Sequence, residues 1–264
     1  MIMNFKLSLK VFVSVFFLFF NSLQAQQKPN IVFILSDDAG YADFSFQSSR
    51  LIATPNIDRV AKEGVKFTNG YVTGAVCSPS RAGILTGIYQ AKFGHTINFI
   101  QGVKYNLPLD SLGLPLNQKL VGNYLKPLGY TTGIVGKWHL GLSAPFHPNK
   151  RGFDYFWGFL WGSSAYDVDK KRIIEENGKQ LDASTIPYTT DAIGDKSVDF
   201  IKANKDKPFY LFVSFNAPHT PLQAKPELLE RFTKELKNRN RALNAALTYN
   251  MDENVGKIYA TLEK

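Results

Sequence analysis

The stretch "PNIVFILSDD" (residues 29–38) decides the fold. A continuous apolar, β-branched run from Ile31 to Leu35 closes on the adjacent carboxylates Asp37 and Asp38. This pattern predicts a buried strand followed by a polar loop. Two further stretches repeat it: "TTGIVGKWHL" (131–140) passes into Lys137 and His139, and "KPFYLFVSFNAPH" (207–219) ends at His219. Between them lie helical patterns. "TPNIDRVAKEG" (54–64) has Thr54 as N-cap, Pro55 at the first helical position and Gly64 as stop. "NQKLVGNYLKPLGY" (117–130) reads as helix up to Gly129. "TTDAIGDKSVDFIKANK" (189–205) carries helical spacing, and helices over 226–237 and 243–262 close the chain. "VKFTNGYV" (65–72) is a short strand candidate. Strands alternating with helices imply an α/β fold, a layered and largely parallel sheet flanked by helices. Three strand ends then deliver acid, base and metal-type groups to one sheet edge, where open α/β sheets place their sites.

The N-terminus carries Lys6 and Lys10, an apolar run over 11–20 and a small residue at Ala25. This describes a signal peptide over 1–25, shorter than the ~20 apolar residues a membrane span requires. The product, residues 26–264, is expected to be periplasmic or secreted, without a membrane span. Composition is that of a globular chain, 44% hydrophobic and 20% charged, with net charge +9. The excess positive charge suits anionic substrates. No basic cluster with interleaved aromatics accompanies it, so nucleic acid is not an expected partner. The densest basic run, "KELKNRNR" (234–241), reads as a solvated helix end.

One cysteine, Cys77, stands in "AVCSPSRAGILTG" (75–87). An exported chain with one cysteine forms no internal disulfide. Ser78 and Pro79 resemble an N-cap and first helical position, which places Cys77 just before a helix start, where anions are favoured. Arg81 adds a fork of donors for a tetrahedral oxyanion.

The string C-x-P-S-R-x-x-x-L-T-G, carried by Cys77, Pro79, Ser80, Arg81, Leu85, Thr86 and Gly87, resembles the signature of the sulfatase family. "GKWHLG", "RGFDYFWGF", "NAPHTP" and "NMDENVGKI" extend the resemblance from about residue 29 to the end. It implies an alkaline-phosphatase-like α/β fold and hydrolysis of sulfuric esters of a sulfated glycan or aryl alcohol. It further implies that Cys77 is converted to formylglycine by a formylglycine-generating or anaerobic sulfatase-maturing enzyme. Asp37, Asp38 and position 77 become ligands of Ca²⁺, with Mg²⁺ as an alternative. Arg81 and Lys137 become sulfate-binding cations, His139 the partner of the hydrated aldehyde and His219 the proton donor to the leaving oxygen. His95 and His147 are expected to be structural.

In the family, a strand ending in an Asp-Asn pair, a further lysine and a C-terminal subdomain follow. Asp252 and Asn254 lie in a helical pattern and do not substitute for that pair. The expectation is therefore an N-terminal portion with little activity alone. Two rival readings remain. One is a phosphonate or phosphate ester hydrolase of the same superfamily, separable by substrate comparison. The other is a non-catalytic glycan-binding remnant, which predicts binding independent of residue 77.

Overall fold

The computed structural model describes residues 28–100, 103–105, 107–167 and 172–264. The leader expected over 1–25 lies outside them. Six strands form one sheet in the order β1-β6-β2-β3-β4-β5. They are β1 (Ile31–Asp37), β2 (Thr131–Lys137), β3 (Tyr155–Phe159), β4 (Glu175–Glu176), β5 (Lys179–Gln180) and β6 (Phe209–Pro218). The first four in that order run parallel, as expected, while β3, β4 and β5 pair antiparallel. Every residue of β6 is buried, which fits a central strand covered on both faces.

The helices are α1 (Pro55–Glu63), α2 (Cys77–Thr86), α3 (Val121–Leu125), α4 (Thr189–Asn204), α5 (Pro226–Glu235) and α6 (Arg239–Leu262). On one face of the sheet, Ile193 and Phe200 of α4 and Leu247, Met251 and Val255 of α6 pack on Val135, Leu211 and Val213. On the other, Ala82 and Leu85 of α2 join Leu120, Trp138, Phe156 and Phe212. The sheet is therefore the middle of three layers.

Three expectations need correction. The 65–72 stretch forms no strand. Val65, Phe67, Tyr71 and Val72 are mostly exposed, and among the described residues no strand pairs with them. The helix predicted up to Gly129 is regular only over α3 and tightens into a 3₁₀ turn at Lys126–Leu128, where Pro127 lacks an N–H. Cys77 is the first residue of its helix rather than the residue before it. Val76 in extended conformation is the N-cap, without a side-chain cap of its own. The basic run over 234–241 spans the break between α5 and α6.

Asp252 and Asn254 sit buried in α6, as their helical pattern required. Asp252 caps α1 by accepting the N–H groups of Asn56 (3.3 Å) and Ile57 (2.8 Å). Asn254 donates to Asp191 at 2.9 Å.

Candidate functional site

A shift in register between Leu35 and Asp37 sets Asp37 opposite Pro218, so the ends of β1 and β6 meet with His219 one residue on. Beside them β2 ends in Lys137, whose side chain is fully buried. Its approach to β6 depends on Gly136, at φ +114° with Ser214 O only 2.0 Å from where a Cβ would stand. The chain then turns sharply. The strand stops at Lys137 and His139 adopts φ +59°, so two residues that would share one face of a continuing strand do not do so here. The imidazole is seated against Gly162, where an added Cβ would lie 2.5 Å from the ring.

Three charged groups and a hydroxyl lock together at this edge. Lys137 Nζ donates to Asp37 Oδ2 at 2.5 Å, and Arg81 Nη2 lies 3.3 Å from Asp37 Oδ1. Arg81 Nη1 donates to Lys137 O (2.9 Å) and Ser214 Oγ (2.5 Å), while the Ser214 hydroxyl donates to Lys137 O (2.7 Å). One knot thus ties the start of α2 to the ends of β2 and β6. Burial pushes the Asp37 carboxyl up, but Arg81 and Lys137 outweigh it and hold it below the usual carboxylate range. Burial and Arg81 in turn pull Lys137 down.

Ligand atoms of Asp37, Cys77 and His219 lie within 4.8 Å of one another. His219 Nδ1 donates to Thr220 O at 2.5 Å, and its Nε2 lies 3.4 Å from Asp38 Oδ2. A hydrogen bond with Cys77 raises the His219 pKa against the opposing effect of burial. His139 behaves oppositely. Burial and the neighbouring Lys137 lower it to about 3, so the ring is neutral. Its Nε2 meets Phe99 O at 2.6 Å. Among the described residues, Arg81 Nε and His139 Nδ1 are buried with no hydrogen-bond partner. Such atoms occur elsewhere in the core as well, but here they stand beside the charged cluster, where a bound ligand could use them.

The fold therefore gathers Asp37, Cys77, Arg81, Lys137, His139 and His219 at one place, with Asp38 half-exposed beside His219. A cavity of about 600 Å³, lined by Asp37, Asp38, Tyr41, Tyr71, Cys77 and Arg81 among others, opens at this point. The two carboxylates are hard oxygen donors and fit a divalent cation such as Ca²⁺ as part of a ligand set, Asp37 being shared with two protein cations. His147 lies elsewhere, bonded to Glu175. His95 is buried against Ser78.

Sequence reasoning missed Ser214, Asn98 and Phe99, and it took Ser78 for an N-cap where the structure has it inside the first turn. Ser214 had a signal, because with Asn216 it interrupts the otherwise apolar β6 at positions two apart.

The sulfatase family model matches residues 29–264. Arylsulfatase J of Mus musculus is 37% identical over 250 residues, 90% of this chain and 40% of that protein. The crystal structure of Ps i-CgsB in complex with k-i-k-neocarrahexaose is 40% identical with a TM-score of 0.83, covering 90% of this chain and 55% of that one. BT4656 in complex with its substrate D-glucosamine-2-N,6-O-disulfate is 33% identical with a TM-score of 0.65, covering 79% and 38%. The chain spans about half the length, or less, of these relatives.

Proposed function

The chain belongs to the sulfatase family, with its alkaline-phosphatase-like α/β fold, and from that premise we propose that the protein hydrolyses a sulfuric ester of a carbohydrate at the cluster around position 77. One observation carries this reading. Cys77, at a helix start, has Asp37 and His219 within reach of its sulfur, and the same cluster holds two buried cations, a neutral histidine, and unpaired atoms at Arg81 Nε and His139 Nδ1.

Conversion of Cys77 to formylglycine by a maturing enzyme would supply a hydrated aldehyde. One of its hydroxyls can take the sulfuryl group, and the second lets sulfate be expelled. A divalent cation held by Asp37, Asp38 and position 77 would supply charge that draws sulfate oxygens and acidifies a nearby hydroxyl. The remaining work falls to this chain's side chains. Arg81, its Nη1 fixed by Lys137 O and Ser214, offers Nε to a sulfate oxygen. Lys137, pinned by Asp37, adds a second fixed charge that needs no reorganisation. His219, its Nδ1–H held by Thr220 O, carries a proton on Nε2 for the departing alcohol. His139, neutral, accepts a proton at Nδ1.

Export through the leader over 1–25 and a sulfated polysaccharide substrate belong to the same reading. Their support is the leader's pattern, the net positive charge and a neighbour bound to a disulfated glucosamine.

The test measures sulfate released from sulfated oligosaccharides by protein carrying this chain, with phosphate and phosphonate esters as comparators. Mass spectrometry of the residue-77 peptide runs alongside. We expect formylglycine at 77, release of sulfate in preference to phosphate, and loss of turnover in Cys77→Ala. An unmodified thiol in fully active protein, or turnover indifferent to residue 77, overturns the proposal.

A further inference from the structure

Residues 95–99 run between the two halves of this cluster without contributing a reacting group. At one end they grip Ser78, the residue after Cys77. Asn98 Oδ1 accepts the Ser78 N–H at 3.1 Å, and His95 Nε2 lies 2.8 Å from Ser78 Oγ in a buried contact. Because Val76 has no capping side chain, Asn98 provides from a distant loop what an N-cap normally provides locally. At the other end Phe99 O bonds His139 Nε2 at 2.6 Å, and the Phe99 ring packs edge-on between His95 and His139, with centroids 5.4 and 6.4 Å away.

The segment is itself anchored. His95 bonds the backbone of Gly113, which bridges Gly141, two residues past His139. The Tyr105 hydroxyl donates to Asn98 O at 3.0 Å and accepts the Ile100 N–H at 2.6 Å.

We propose that residues 95–99 are a positioning strap, which fixes the helix start presenting position 77 and, through the Phe99 carbonyl, fixes His139 as its Nε2–H tautomer. The logic of the second half is chemical. A carbonyl only accepts, so His139 Nε2 must donate, and in a neutral ring this leaves the lone pair on Nδ1. His95 and Asn98 act on position 77 through Ser78 and are positioning residues, not catalytic ones. The proposal rests on reading position 77 and His139 as a working pair, but its test uses neither a sulfate ester nor the modified residue.

Two measurements on the chain as encoded, with the thiol at 77 verified by mass, decide it. The first is a long-range ¹H–¹⁵N spectrum of the histidine rings at neutral pH, with the His139 signals identified by their loss in His139→Gln. We expect Nε2 protonated and Nδ1 bare. A protonated Nδ1 overturns the tautomer assignment, and this measurement needs no folded strap variant.

The second is the pH profile of iodoacetamide alkylation at Cys77, the chain's only thiol. Losing one hydrogen bond should change the rate constant by about fivefold in Asn98→Ala and in His95→Ala. Asn98→Asp, which keeps an oxygen acceptor, should restore it. Ser78→Ala combined with His95→Ala should do no more than the larger single change, since both remove one contact. Profiles of Asn98→Ala and His95→Ala that overlay the wild type overturn the strap. Expected results here with no sulfate release elsewhere would sink the proposed activity and leave the strap standing.

Discussion

Asp37 is one carboxylate shared by two buried cations, and that sharing governs what substitutions do. Removing Lys137 leaves a buried acid with half its compensation, so Lys137→Met should lose about 3 kcal/mol of stability by urea unfolding. Adding Asp37→Asn to that variant should recover part of the loss, because the uncompensated charge goes with it. The histidines set a second dependence. His95 and His139 have pKa values lowered to about 4 and about 3, chiefly by burial, against an ordinary 6.5. Between those values the unfolded chain binds more protons than the folded one. The contribution of these two histidines is therefore full above about pH 6.5 and falls as pH drops, by up to roughly 1.4 kcal/mol per pH unit per histidine, with His219, whose pKa is raised, acting in the opposite sense. Urea midpoints at pH 7.5, 6 and 5 check this, and His95→Gln should flatten the slope. The sequence pointed to the proposed site residues because they sit in short strings, Asp37, Lys137, His139 and His219 at or just past strand ends and Cys77 and Arg81 at a helix start. It could not point to Asn98 or Phe99. Their contacts run from a loop without periodicity, and the second uses a main-chain carbonyl that any residue would supply.

Elements were legible where apolar spacing was regular and packed into the core, as in β2, β6 and α4; β1 formed where expected, but as a sheet edge with Phe33 and Ile34 exposed rather than as a buried strand. Composition misled over 65–72, which has strand-forming residues but no neighbouring strand. The two-residue strands β4 and β5 were too short to leave a pattern. Helix caps supplied from elsewhere in the chain were equally invisible. Asp252 is reached across almost two hundred residues, and Asp252→Ala should destabilise the fold by about 1 kcal/mol through loss of the α1 cap. Thermal unfolding followed by circular dichroism measures it. At the end of β2, Gly136→Ala would set a methyl 2.0 Å from Ser214 O in a positive-φ backbone. Little folded protein is expected, with the yield after refolding as the readout.

Among the described residues the sheet's two borders differ. β1 is a seven-residue edge strand with Phe33 and Ile34 more than a third exposed, whereas β5 is two residues long and ends the sheet with exposed Lys179 and Gln180. Uncovered edges of the first kind pair with other chains. Ile34→Lys should therefore lower concentration-dependent light scattering without changing far-UV circular dichroism.

The asymmetry also limits what such pairing can build. Two copies joining β1 to β1 are related by a two-fold axis, and the contact consumes the sticky border of both. Stacking a third copy would require the opposite flank, which is too short and too polar to seed a ladder. Crowded solutions of this chain should thus stop at closed pairs and not lengthen into filaments, a distinction that sedimentation velocity reads directly.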